Sequence, residues 1–381
     1  MKVDYPIISA DSHITEAPNT YTDYIDPKYV ETAPRVVETE DKGDLYVIDG
    51  MRSTIPMGLV AAAGVDAMAL NTRARYSDIH KSGYDSSYRI ADQSRDGVSC
   101  EVIYPSVGMV LCNHPDFDYK KAAMDAYNRW ISEYCSVDPQ RLLALGQTPM
   151  RSPEEGIQDI EKMKAMGMRG VMMPGNPQVE DYDSPIYDEF WEACIGLGLV
   201  PSFHILTSST DALNRSRGPK MNNFLSIIRG NQDIMGMFVL GGVFEKHPNL
   251  KIVCVEADAG WAPHFTYRMD HAWKRHRKWL TAKIDKLPSE YFKEHIYLTF
   301  QDDWVAFANV NHMNWHRLCW ANDFPHSDST WPWSQELLTE HTAQLTPEQQ
   351  RAILCDNTAE LYGIDVSKLP AGGDALAEAA A

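Results

Sequence analysis

The hydrophobic positions of this chain fall into short apolar runs separated by longer amphipathic stretches. The first run, Ile7-Ile8-Ser9-Ala10-Asp11-Ser12-His13, starts apolar and ends on Asp-x-His. Strands alternate their side chains between two faces, so Asp11 and His13 point the same way at the end of a strand. From about Ser94 a regular rhythm begins. Apolar runs are expected as strands at 98–105, 142–146, 170–174, 200–204, 250–256, 295–300 and 317–323. Amphipathic stretches between and after them predict helices at 119–134, after Ser152-Pro153, at 185–197, 222–244, 262–278, 302–313, 333–343 and 347–362. Ser152 is placed to cap its helix and Pro153 to open it.

Eight strands, each followed by a helix, predict a closed parallel (β/α)8 TIM barrel, an α/β fold, more readily than an open sheet. The segment from Ile14 to Arg95 interrupts the pattern after the first strand; it is rich in Pro, Tyr, Asp and Gly. An excursion of that length inside a domain is expected to be a cap over the barrel mouth, so the barrel is distorted by a long insertion. Within it, Tyr46 to Arg52 reads as a hairpin turning at Asp49-Gly50. The whole of 1–369 is expected as one domain, with an Ala/Gly-rich tail at 370–381 that packs loosely.

Composition narrows the function classes. Of the 381 residues, 44% are hydrophobic and 23% charged, ordinary values for a globular protein. The formal net charge of −18 argues against nucleic acid or an anionic membrane as partner. Seven cysteines without a C-x-x-C pair suggest reduced thiols in a cytoplasmic protein. No apolar run reaches the length of a membrane span.

In a β/α barrel the chemistry sits at the C-terminal ends of the strands. Those ends carry Asp11 and His13, His204, Glu256 and Asp323. These five metal-competent groups come from four separated strands that a barrel would bring to one mouth. They predict a divalent-metal centre of one or two ions, with zinc, iron or manganese as candidates. Metal-bound water becomes hydroxide near neutral pH. With Glu256 or Asp323 as base, the expected chemistry is hydrolysis of a carboxyl derivative: an amide, ester, lactone or thioester of a bulky, partly apolar small molecule. His326, three residues past Asp323, is a candidate proton shuttle. Arg52, Arg73 and Arg75 are candidate anchors for a substrate carboxylate or phosphate, because Arg offers a bidentate fork. His114 and Trp331 are candidate substrate contacts near the mouth.

Several motifs make the chain resemble the amidohydrolase superfamily, in the branch of aminocarboxymuconate-semialdehyde decarboxylase and γ-resorcylate decarboxylase. They are Ala10-Asp11-Ser12-His13, Phe203-His204, Gly260-Trp261-Ala262-Pro263, Asn322-Asp323-Phe324-Pro325-His326 and the closing stretch Asp356-Asn357-Thr358-Ala359. The resemblance implies Asp11, His13, His204 and Asp323 as metal ligands and a homodimer. Asp-x-His replaces the His-x-His common in the superfamily and favours a harder ion. Glu256 stands where this branch's decarboxylases carry His, and a Glu held ionised beside a cation is a poor proton donor. That premise makes hydrolysis the expectation, decarboxylation of an aromatic or unsaturated acid the alternative, and an inactive binding barrel the third reading.

Overall fold

The computed structural model describes residues 1–208, 218–225 and 227–372. Eleven strands occur among them: β1 (Ile8–His13), β2 (Arg35–Thr39), β3 (Gly43–Val47), β4 (Ile55–Pro56), β5 (Cys100–Tyr104), β6 (Leu142–Gln147), β7 (Gly170–Met172), β8 (Val200–His204), β9 (Ile252–Val255), β10 (Ile296–Phe300) and β11 (Leu318–Trp320). Eight of them form one parallel sheet in the order β1-β5-β6-β7-β8-β9-β10-β11. Two backbone hydrogen bonds close the ring: Asp323 N–H donates to Asp11 O (3.1 Å) and His13 N–H to Phe324 O (2.7 Å). The barrel strands are wholly buried, as near-continuous Val, Ile and Leu runs require when both faces are covered.

Helices pack outside the ring where the periodicity placed them. Phe117–Cys135 is capped by Asp116, and Pro153–Ala165 by Ser152, whose side chain accepts from Glu155 N–H. Asp188–Leu197 stops at Gly198, whose φ of 60° suits a left-handed terminus. The expected long helix at 222–244 is instead Arg229–Leu240 followed by a short turn at Val243–Lys246, broken at Gly242 with φ 76°. Part of that expectation (Ser226), and most of the expected tail (373–381), lie outside the described residues. No helix among the described residues is long and apolar enough to cross a membrane.

The insertion is more ordered than its sequence suggests. β2, β3 and β4 form a separate antiparallel sheet. Its tight hairpin turns at 40–42, where Thr39 pairs with Gly43, and Asp49-Gly50 lies in the longer β3–β4 connection. Gly43 has φ 74°, and a Cβ there would lie 2.2 Å from Arg73 O, so only glycine fits that corner. A helix the sequence reading missed, Ser86–Arg95, seats the insertion on the barrel.

Candidate metal centre

β1, β8 and the turns leaving β9 and β11 deliver Asp11, His13, His204, Glu256 and Asp323 to one point. The ligating atoms of Asp11, His13, His204 and Glu256 lie within 4.8 Å of one another, as do those of His13, Glu256, Asp323 and His326. Glu256 and Asp323 both adopt left-handed backbone conformations (φ 54° each), sparsely populated for residues with a Cβ.

The imidazoles are oriented from behind. His13 Nδ1 donates to Pro105 O (3.0 Å) and His204 Nδ1 to Ile205 O (3.1 Å). A carbonyl only accepts, so each Nδ1 holds the proton and each Nε2 presents a lone pair. The two Nε2 atoms face each other at 3.2 Å. His13 Nε2 stands 3.4 Å from both Asp11 Oδ1 and Asp323 Oδ1; His204 Nε2 stands 3.6 Å from Asp11 Oδ1 and 3.2 Å from Glu256 Oε2. Both carboxylate oxygens of Asp11 and of Asp323, and Oε2 of Glu256, are buried without a hydrogen-bond partner. Facing lone pairs ringed by unpartnered carboxylate oxygens fit a divalent cation and are costly without a positive charge.

Without an ion, protons take that role. Burial alone would lower His13, yet the Asp11 and Glu256 carboxylates push it well above its ordinary range. Burial would raise Asp11, but His204 and His13 hold it far below the usual carboxylate value. Burial and the neighbouring acids raise Asp323 and Glu256.

His326 is stacked on His13, with ring centroids 3.9 Å apart. Ser106 Oγ donates to Ile14 O (2.6 Å), so at His326 Nε2 (2.8 Å) it accepts. That leaves His326 Nδ1 facing Asp323 Oδ1 at 3.0 Å. Ser106 itself is held by Glu16, whose buried carboxylate accepts from the backbone N–H groups of Ser106, Val107 and Gly108.

Above the cluster opens a cavity of about 390 Å³, walled by apolar side chains that include Ile55, Leu59, Val110, Leu206 and Phe224. Glu256, Asp323 and His326 form part of its lining, and the insertion contributes residues 53–56, 59 and 60. Part of the insertion thus reaches the cavity, while Arg52, Arg73, Arg75, His114 and Trp331 are not among its lining residues. Arg75 donates to Asp44 at 2.9 Å, inside the insertion. Arg52 and Arg73 are exposed and outside the lining. His114 Nε2 donates to Asp49 O (2.8 Å), and its Nδ1 accepts from Asp116 N–H, so both ring nitrogens serve local structure. Trp331 packs on Phe324 and Ala63, with its indole N–H on Asp92 O, so it fastens the insertion to the barrel.

The sequence reading missed Arg89. Its fully buried guanidinium donates Nε to Glu101 Oε2 (2.7 Å), Nη2 to Glu101 Oε1 (3.0 Å) and Phe324 O (3.3 Å), and Nη1 to His13 O (2.7 Å). It thereby ties the insertion's helix to the backbone beside two of the clustered residues. The available signal was the spacing of Arg89 and Gln93 on one helical face, since both reach Glu101.

Comparison with known proteins agrees with this architecture. The chain is 24% identical, over 77% of its length and 80% of the relative's, to 2-amino-3-carboxymuconate-6-semialdehyde decarboxylase of Dictyostelium discoideum. Two solved structures share the fold. An amidohydrolase from Mycobacterium avium subsp. paratuberculosis superposes with a TM-score of 0.79 at 19% identity, covering 95% of this chain and 100% of that one. A 5-carboxyvanillate decarboxylase from Novosphingobium aromaticivorans, solved with manganese and 3-methoxy-4-hydroxy-5-nitrobenzoic acid, gives 0.68 at 16% identity, covering 94% and 97%.

The kinship corrects the expectation of a hydrolase, because the curated relative aligned over most of the chain breaks a carbon–carbon bond to carboxylate. In the metal-free protein Glu256 shares the site with Asp323 and Asp11, and burial together with the Asp323 charge raises its carboxyl above the ordinary range. The amidohydrolase family model matches residues 84–364, well over half of the chain, and the protein belongs to that family.

Proposed function

We propose that the protein is a divalent-metal-dependent, non-oxidative decarboxylase of an aromatic or unsaturated carboxylic acid. The observation that carries this reading is the convergence of buried, unpartnered Asp and Glu oxygens on the His13 and His204 imidazoles beside an apolar-walled cavity. Kinship to a decarboxylase over most of the chain supports it.

Asp11, His13, His204 and Asp323 would hold the ion, a donor set that suits manganese, iron or zinc. When bound, the ion supplies a positive charge that anchors the carboxylate end of the substrate and draws electron density from it. The apolar wall receives the unsaturated body and keeps water from it. Glu256 lines the cavity beside the cluster and delivers its proton to the carbon that bears the carboxylate. The bond from that carbon to the carboxylate then breaks, its electron pair restores the unsaturated system, and carbon dioxide leaves. The Glu256 carboxylate regains a proton from water, so the net change is RCOO⁻ plus H⁺ to RH plus CO2.

Manganese-loaded protein is incubated in D2O with a panel of substituted benzoates and unsaturated acids. Carbon dioxide release with one deuterium at the vacated carbon is expected from at least one of them. Carboxyl derivatives hydrolysed with no acid on the panel decarboxylated would refute the reading.

A further inference from the structure

Two residues past Glu256 and His326, and directly after β10, the cavity lining carries Asp258, Asp328 and Gln301, which the proposed reaction does not use; both aspartates are exposed. Gln301 follows the last residue of β10 and is only 6% exposed, yet among the described residues its amide makes no hydrogen bond. Asp258 sits on a tightly held loop with φ 56°. Asp303 accepts from the N–H groups of Ala259 (2.8 Å) and Gly260 (2.7 Å), and the Trp261 indole donates to Asp258 O (3.0 Å). The backbone is fixed, while no hydrogen bond or ion pair engages the Asp258 carboxylate among the described residues. Asp328 is similarly free, on a turn pinned where Ser327 N–H donates to Leu59 O (3.0 Å). No Lys or Arg among the described residues lines this cavity.

We infer that this wall is a specificity subsite for a hydrogen-bond-donating substituent, amino or hydroxyl, at the end of the substrate remote from the departing carboxylate. Asp258 and Asp328 offer acceptor oxygens and negative charge, and the Gln301 carbonyl adds a neutral acceptor. A second carboxylate or a phosphate at that end would meet two like charges and is rejected. This inference rests on the decarboxylase reading only for which end of the substrate faces the metal cluster.

The test is equilibrium binding to the manganese-loaded protein, which requires no turnover. The probes are benzoate, 4-hydroxybenzoate, 4-(aminomethyl)benzoate and terephthalate. At least one of the two donor-bearing probes is expected to bind about tenfold or more tighter than benzoate, with terephthalate weakest; the stronger of the two identifies the donor. Asp258→Asn keeps a residue that tolerates the left-handed backbone. It is expected to reduce the donor-to-benzoate affinity ratio about fivefold or more, as is Gln301→Leu. Three results would overturn the subsite: equal affinities, terephthalate binding as tightly as the donor-bearing probes, or a second manganese per chain that disappears in Asp258→Asn. Donor-selective binding with no carbon dioxide released from any acid would leave the subsite standing and remove the decarboxylase reading.

Discussion

Replacing Arg89 with Leu tests whether the insertion and the metal centre are held by one buried ion pair. The substitution leaves Glu101, itself fully buried, with only the Gln93 amide and no counter-charge. Removing one partner of such a pair costs roughly 3–5 kcal/mol, most of it the uncompensated charge. An unfolding entropy of about 2.1 cal/mol/K per residue, over 381 residues, makes about 0.8 kcal/mol equal to one degree. The melting temperature should therefore fall by roughly 4–6 °C, read by calorimetry on the metal-free protein. Arg89→Leu combined with Glu101→Leu removes both charges and should recover a large part of the loss. Manganese affinity should also drop in the single variant, because the carbonyls of His13 and Phe324 lose their donors. A single variant melting within about 1 °C of the parent, or a double variant worse than the sum of the two singles, would refute the reasoning.

His204→Ala removes one of two lone pairs aimed at the ion; metal content by elemental analysis should fall below stoichiometric, and activity with it. Manganese must displace the protons held by His13 and Asp323, both raised above their ordinary ranges. Affinity should therefore fall as pH is lowered, and calorimetry in buffers of different ionisation heat should detect proton release on binding. Burial raises Glu16 from an ordinary 4.5 to about 7 against the pull of three backbone N–H groups. Its contribution is fully present below 4.5 and is lost as pH rises through 7, a difference of about 3 kcal/mol at about 1.4 kcal/mol per pH unit. Glu16→Gln should flatten the melting temperature between pH 5 and 8; an unchanged slope would show that Glu16 does not titrate there.

The barrel was legible in the sequence because its strands are buried on both faces and stand out as apolar runs. The convergence of Asp11, His13, His204 and Asp323 followed from their place at strand ends. The helix Ser86–Arg95 was not legible, because the side chains it buries are Arg89, Gln93 and Ser94, and a polar buried face leaves no hydrophobic period. The insertion's tight hairpin was misplaced for a related reason: Asp49-Gly50 is the stronger turn signal, but the corner packed against Arg73 demands glycine at Gly43. The raised carboxyl of Glu256 depends on three acids from three strands meeting in space, which no local spacing encodes. The three arginines drew attention as anion anchors, whereas the lining that formed is acidic.

The left-handed turns at Glu256 and Asp323 set this mouth against the stability of the barrel beneath it. Each such residue costs on the order of 1 kcal/mol that a glycine would not incur. A descendant relieved of catalysis would gain by accumulating glycine at these two corners first, so the retention of acids there can serve as a marker for sorting working barrels from retired ones.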